Sequence, residues 1–298
     1  MCTGICMATR RAQVKIPVCY MRTTPSHAAE QSSQAILGTP VTILSQKGDW
    51  YNVRTPDGYT GYIRCNSLQP MSEDDYDRWL KADKVVCISL FEQLLPDKGY
   101  ATYGTVLECM RTDKASGVFE LRLPDGDTTF VSYSSGAWIP LEEWKQLCSQ
   151  ADASQVINIA KGMLGYPYLW GGNTSLAADC SGLTQLAYKA AGMLLPRDTS
   201  MQINCGTEIS SIDEALPGDL IFYGTGGKVN HVAIYLGEGS IIHSSGCVRI
   251  CRISDDAPGD YELYTDKPLC IRRILGVASL GQDDATHAVP TLFSNSIY

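Results

Sequence analysis

The sequence predicts an α+β protein in which two small all-β units precede a mixed domain, and three observations lead there. The first is an internal repeat: "WYNVRTPDGYTGYI" at 50–63 returns as "VFELRLPDGDTTFV" at 118–131. Each copy is a period-2 strand, a Pro-Asp-Gly turn and a second strand, which is a hairpin with its own turn chemistry. The second is a change after residue 150, where "SQVINIAKGMLG" and "DCSGLTQLAYKAAG" carry apolar residues at helical spacing. The third is a run of short apolar segments bounded by glycine, "GDLIFYG", "HVAIYLG" and "SIIHSSG", which read as neighbouring sheet strands.

Taken in order, the first unit is expected over 1–70, with strands near 15–21, 41–44, 50–54 and 59–63. A helical connector follows over 71–84, where Ser72 can cap a helix whose first turn is acidic. The second unit, 85–140, holds strands near 85–90, 105–110, 118–123 and 128–131. Small β-barrels fit both stretches. A linker is expected over 141–154, then the mixed domain over 155–280, its first helix capped by Ser154. The aperiodic end, 281–298, reads as a tail.

Composition narrows the function classes. At 298 residues the chain is long enough for two or three domains. Its 44% hydrophobic and 19% charged residues exclude wholesale disorder. No apolar run approaches the roughly 20 residues of a membrane-spanning helix. A net charge of −8 disfavours nucleic acid, whose binding rests on clustered Lys and Arg. Twelve cysteines are scattered without a paired CxxC set, so neither a zinc ribbon nor a disulfide scaffold is expected. No cofactor or metal is expected. The opening "MCTGICMATR" lacks the apolar segment of a secretory signal, so a thiol-rich chain reads as cytoplasmic; a processed start would place it in the periplasm or cell envelope. Oligomeric state is not legible.

The candidate chemistry begins at Cys180. Leu183, Leu186, Ala187, Ala190 and Ala191 form one helical stripe, and three residues back from Leu183 is Cys180, in the first turn behind a capping Asp179. A helix N-terminus favours thiolate. What separates Cys180 from one more small buried hydrophobe is the histidine inventory. Of only four histidines, His231 and His243 lie in consecutive strands joined by "GEGS". A hairpin on that turn brings the rings together, directly opposed or one diagonal step apart. The order thiol, base, orienting group follows. The backbone N–H of Cys180 is a candidate oxyanion donor. His27 and His287 have no context that suggests a ligand.

"GYPYLWGG", "DCSG", "LPRDTSMQ", "LPGDLIFY", "HVAIYLG" and "IIHSSG", in this order and spacing, resemble the NlpC-type cell-wall cysteine peptidases, a papain-like group. With two bacterial SH3-like domains in front, the whole chain resembles the γ-D-glutamyl-L-diamino acid endopeptidases, which cut peptidoglycan stem peptides. The resemblance implies a triad of Cys180, His231 and His243. It further implies a pocket for L-Ala-γ-D-Glu lined by Tyr168 and Trp170, with Asp179, Ser181, Asp198 and Thr199 binding polar groups of the substrate. Thr199 stands where the family leads one to expect serine. In relatives of this architecture the first SH3-like domain recognises a free L-Ala amine through an acidic residue and a tyrosine, which points to Glu30 and Tyr59. Tyr59 aligns with Asp127 in the repeat, so the hairpin itself does not require a tyrosine there. Two other readings remain open at this stage: a non-catalytic wall-peptide binder, and a thiol amidase or acyltransferase on the same fold.

Overall fold

The structure, a computed structural model, describes residues 10–276; the expected tail and His287 lie outside them. The chain divides into two compact units between Gln146 and Leu147. Each is described by itself.

The first unit opens with β1 (Arg11–Val14), β2 (Val18–Arg22), β3 (Gln31–Ile36), β4 (Pro40–Lys47), β5 (Trp50–Arg54), β6 (Thr60–Arg64) and β7 (Leu68–Met71). They hydrogen-bond in the order β3-β2-β6-β5-β4-β1-β7 around a core that includes Val14, Met21, Val53 and Ile63. Of the strand expected over 15–21 only the second part is strand, in β2; residues 15–17 lie between β1 and β2, where Pro17 lacks the N–H a ladder needs. The strand β3 escapes a pattern search because "QSSQ" carries no apolar alternation. Helix α1 (Glu73–Lys81) is the expected connector, with the Ser72 side chain accepting from the N–H of Asp75.

Next come β8 (Lys84–Cys87), β9 (Phe91–Gln93), β10 (Tyr100–Thr102), β11 (Val106–Asp113), β12 (Val118–Arg122), β13 (Thr128–Ser132) and β14 (Trp138–Pro140). Five of them form a sheet, β13-β12-β11-β8-β14, and β9 and β10 pair separately. The repeat is structural. In the first copy the N–H groups of Thr55 and Gly58 donate to Tyr59 and Thr55, and in the second those of Leu123 and Gly126 donate to Asp127 and Leu123. Gly58 and Gly126 have φ of +80° and +93°, a conformation that side chains resist, which is why each turn ends on glycine.

Helix α2 (Leu141–Ser149) occupies most of the stretch expected as a linker, with Leu141, Trp144 and Cys148 buried at helical spacing. The second unit then continues with α3 (Ala153–Gly162), β15 (Asn173–Thr174), β16 (Ala177–Ala178), α4 (Cys180–Lys189), α5 (Thr199–Gln202), β17 (Thr207–Ile209), β18 (Leu220–Thr225), β19 (Lys228–Gly237), β20 (Ser240–Ser245), β21 (Cys247–Arg252) and β22 (Pro268–Arg273). The cap of α3 is Asp152 rather than Ser154, in a capping box with Gln155. Six strands form an antiparallel sheet, β17-β22-β18-β19-β20-β21, with α4 against β19 and β20.

The helix α4 departs from the one-stripe expectation. Every residue from Cys180 to Tyr188 is buried, polar ones included. Partners make this tolerable: Thr184 donates to the Ser181 carbonyl and Gln202, Gln185 donates to the Leu195 carbonyl, and Asn173 donates to Gln185. Close approach sets the rest. A Cβ on Gly182 would fall 1.9 Å from the carbonyl oxygen of Gly172. The glycines of "WGG" and "DCSG" are therefore packed on one another, which fixes where the helix begins.

Candidate active site

Cys180 opens α4, 8% exposed, and the Asp179 side chain caps the helix by accepting from the N–H of Gly182 at 2.7 Å. The sulfur meets the backbone N–H of Val232, the residue after His231, and lies 3.8 Å from the Thr199 hydroxyl. A thiolate-favouring helix terminus was expected to prevail here. Instead burial, followed by the nearby Asp179 carboxylate, pushes the Cys180 thiol up, against the lowering effect of Thr199 and the backbone N–H groups. The thiol of Cys180 is therefore held toward its neutral form, and nucleophilic chemistry there would require a base.

The candidate base lies in the sheet. Tyr223 pairs with His231 across β18 and β19, and Ile234 pairs with Ile242 across β19 and β20. The second register sets His231 and His243 one diagonal step apart rather than directly opposed. Their rings meet at 5.0 Å between centroids, with His231 Nε2 2.7 Å from His243 Nδ1. With Nε2 engaged, Nδ1 is the nitrogen of His231 not committed to His243. Burial holds both imidazoles below the ordinary histidine value, so each is neutral near pH 7 and His231 can accept a proton.

The remaining expected residues sort by what they touch. Asp179 and Ser181 are buried in a polar knot with Arg197, whose side chain is 1% exposed. Arg197 donates to both Asp179 oxygens, at 2.6 and 3.1 Å, to Ser181 Oγ at 3.0 Å and to the Gly172 carbonyl at 3.3 Å. Gly171 N–H also donates to Asp179. Asp179 thus receives protein donors on both oxygens and acts as cap and counter-ion, a role unlike the expected substrate contact. Asp198 occupies the position before α5 without its side chain capping that helix. Burial, with the Asp179 carboxylate adding to it, pushes the Tyr168 phenol up to about 12, so it is an O–H donor at neutral pH. Trp170 is 62% exposed, which removes a core role for it. Glu30 and Tyr59 belong to the first unit: Glu30 is exposed and its carbonyl accepts from Thr23, while Tyr59 is half-buried against that barrel's core. His27 is exposed and its ring meets the edge of Trp50.

Sequence reasoning missed three residues of this region. Arg197 stood inside a quoted motif, but nothing in "LLPRDT" marks an arginine as buried. Tyr264 lies beyond β21, with its ring 5.0 Å from His243 and 5.9 Å from His231 and its hydroxyl donating to Asp266. Cys251 lies 3.4 Å from His243 Nε2. A Ser-Gly turn at 245–246 was the available signal for the last, since it sets the register that carries Cys251 to His243. Among the described residues no cluster of His, Cys, Asp or Glu fits a metal ion, and no helix is long and apolar enough to cross a membrane. The described cysteines are free thiols.

The sequence profile of the NlpC/P60 family matches residues 165–262, and that of the bacterial dipeptidyl-peptidase Sh3 domain matches residues 21–68. A γ-D-glutamyl-L-lysine dipeptidyl-peptidase of Bacillus cereus is 30% identical over 255 residues, covering 80% of this chain and 75% of that protein. The chain belongs to the NlpC/P60 family. A second γ-D-glutamyl-L-lysine dipeptidyl-peptidase, from Bacillus subtilis, is 28% identical over 71% of this chain and 71% of its own length. In fold, a crystal structure of an NlpC/P60 protein from Bacillus cereus superposes with a TM-score of 0.74 over 89% of this chain and 99% of that one, at 24% identity. NlpC/P60 is a peptidoglycan-hydrolysing cysteine peptidase family, and the papain-like domain behind SH3-like barrels expected from the motifs is the one this chain has.

Proposed function

We propose that this NlpC/P60 protein hydrolyses the γ-D-glutamyl-L-diamino acid bond of peptidoglycan stem peptides that carry a free N-terminal L-Ala. The observation that carries the reading is the hydrogen-bonded pair His231–His243 together with the Cys180 sulfur against the backbone N–H of Val232, the residue after His231, in a chain similar over most of its length to two γ-D-glutamyl-L-lysine dipeptidyl-peptidases. His231 Nδ1 takes the proton of Cys180, and the sulfur adds to the γ-carbonyl of D-Glu. The Cys180 N–H, at a helix position that has no intrahelical acceptor, and the Tyr168 hydroxyl are the oxyanion donors. His231 then returns the proton to the amine of the diamino acid as the C–N bond breaks, leaving a thioester. Water, deprotonated by His231, releases L-Ala-γ-D-Glu and restores the thiol.

Trp170, exposed beside "GG", supplies an apolar wall for the substrate backbone, and Thr199 and Asp198 supply polar contacts. Glu30 and Tyr59 read the free amine. A lactyl amide, as in glycan-linked stems, offers no such charge and is refused. Mass spectrometry of L-Ala-γ-D-Glu-diaminopimelate and of intact sacculi, each incubated with wild type and Cys180→Ala, tests the whole reading. The expected result is L-Ala-γ-D-Glu from the free tripeptide with wild type alone. Equal cleavage of both substrates removes the amine selectivity, and an intact free tripeptide removes the assigned reaction. Glu30→Gln isolates the amine contact: an unchanged kcat/KM takes Glu30 out of the site.

A further inference from the structure

The hydrogen-bonded series that begins at His231 does not end at His243. Strands β19, β20 and β21 are consecutive and antiparallel, and His243 pairs with Arg249 while Ile241 pairs with Cys251. Cys251 is therefore one diagonal step from His243, as His243 is from His231, and all three side chains lie on one face of the sheet. The contacts are 2.7 Å from His231 Nε2 to His243 Nδ1 and 3.4 Å from His243 Nε2 to Cys251 Sγ. His243 and Cys251 are both fully buried, so water is no alternative partner for Nε2.

Counting protons along this series gives Cys251 a task. One proton, and only one, lies between His231 Nε2 and His243 Nδ1. For His231 to accept the Cys180 proton on Nδ1, its resting proton must be on Nε2 and point at His243. His243 must then present a bare Nδ1 and carry its own proton on Nε2, aimed at Cys251. The opposite arrangement, with Cys251 donating to Nε2, puts the His243 proton on Nδ1 and drives the His231 proton to Nδ1, where it blocks the base.

We propose that Cys251 is a positioning residue whose sulfur accepts from His243 Nε2–H, and so holds both imidazoles in the tautomers that let His231 deprotonate Cys180. The inference concerns the thiol–imidazole pair behind the proposed peptidase reaction and rests on that reading only for its kinetic arm. Burial keeps Cys251 a neutral thiol, with Arg249 opposing and Glu262 and Cys247 adding to that effect. The other charged or titratable groups facing the series are Arg249 toward both imidazoles, Asp266 toward His231, and the phenols of Tyr264 and Tyr223, neither ionised at neutral pH. None of them replaces the acceptor at Nε2.

The test uses the full chain. Alkylation of Cys180 by iodoacetamide, read peptide by peptide in a mass spectrometer across pH 5–10, needs no substrate. Cys251→Ala removes the acceptor and is expected to slow alkylation at neutral pH about tenfold or more, by analogy with the loss of other outer hydrogen-bond partners. Cys251→Ser keeps an acceptor and recovers most of the rate. With the free tripeptide the same ranking appears in kcat, with KM little changed. Wild-type and Cys251→Ala profiles that superimpose overturn the proposal. So does a loss shared equally by Ser and Ala together with a lowered melting temperature, which marks packing alone. A direct reading needs no variant: imidazole 15N shifts of wild type are expected to show His243 protonated on Nε2, and protonation on Nδ1 overturns the proposal whether or not Cys251→Ala folds. If the tripeptide is left uncut while alkylation and tautomers behave as stated, the assigned substrate has failed and Cys251 has not.

Discussion

Replacing Arg197 by methionine tests whether the buried ion pair, more than helix propensity, holds the helix of Cys180 in place. Arg197 gives Asp179 two hydrogen bonds, at 2.6 and 3.1 Å, in a place where its own side chain is 1% exposed and that of Asp179 is 10% exposed. Without it the carboxylate keeps the N–H groups of Gly171 and Gly182 and the Ser181 hydroxyl, but no counter-charge. Removing one member of such a pair costs about 3–5 kcal/mol, whereas neutralising both is far cheaper. Asparagine at 179 still caps the helix. The double variant Asp179→Asn/Arg197→Met is therefore expected to be more stable than Arg197→Met alone, a reversal that simple loss of contacts does not produce. Amide hydrogen exchange over Cys180–Lys189 reads the second unit without interference from the first. Arg197→Met should lower its opening free energy by about 3 kcal/mol or more. A change below about 0.5 kcal/mol, or a double variant worse than the single one, refutes the reasoning.

Three further outcomes follow from the same geometry. Gly182→Ala places a carbon 1.9 Å from the Gly172 carbonyl, backbone against backbone, so it should cost about 3 kcal/mol or more and reduce turnover with it; normal exchange protection in α4 contradicts this. Burial keeps His243 and His231 from protonating, His231 down to about 4, while the unfolded chain takes up protons from about 6.5. Stability from these groups is thus full above pH 6.5 and falls below it, down to about pH 4 for His231 and about pH 3 for His243, so urea midpoints of wild type should drop through that window more steeply than those of His243→Gln; parallel curves count against it. Trp170→Ala, at a 62% exposed position, should raise KM several-fold and leave the melting temperature unchanged, and a melting shift with normal KM would return Trp170 to a structural role.

The parts of the fold and site that could be read beforehand are those where local chemistry agrees with the tertiary result. Pro-Asp-Gly turns have the same hydrogen bonds in both copies, and Asp179 caps where a cap is required. The histidine hairpin could be read because the turn "GEGS" fixes two strands at once. Elsewhere the competing influence was tertiary. Strand β3 is held by its neighbour β2 and not by its own "QSSQ". Helix α4 is buried on all sides, so its stripe told only which face has no polar atoms to satisfy. Arg197 reaches Asp179, and Tyr264 reaches His243, from loops, and no periodicity announces a loop residue. The thiol's ionisation was misread for a related reason: a helix terminus can be seen in a sequence, whereas desolvation cannot.

The meander β18 to β21 is contiguous in sequence and closed by short turns, while Cys180 arrives from about fifty residues upstream. Hairpins of this kind close in microseconds, and a pairing across that distance waits on loop closure. On refolding of the complete chain the imidazole ribbon is thus ready before the sulfur of Cys180 reaches it. A chain that stops short of β19 and β20 holds a thiol with no imidazole beside it, so the assembled group of side chains arrives only with the finished domain.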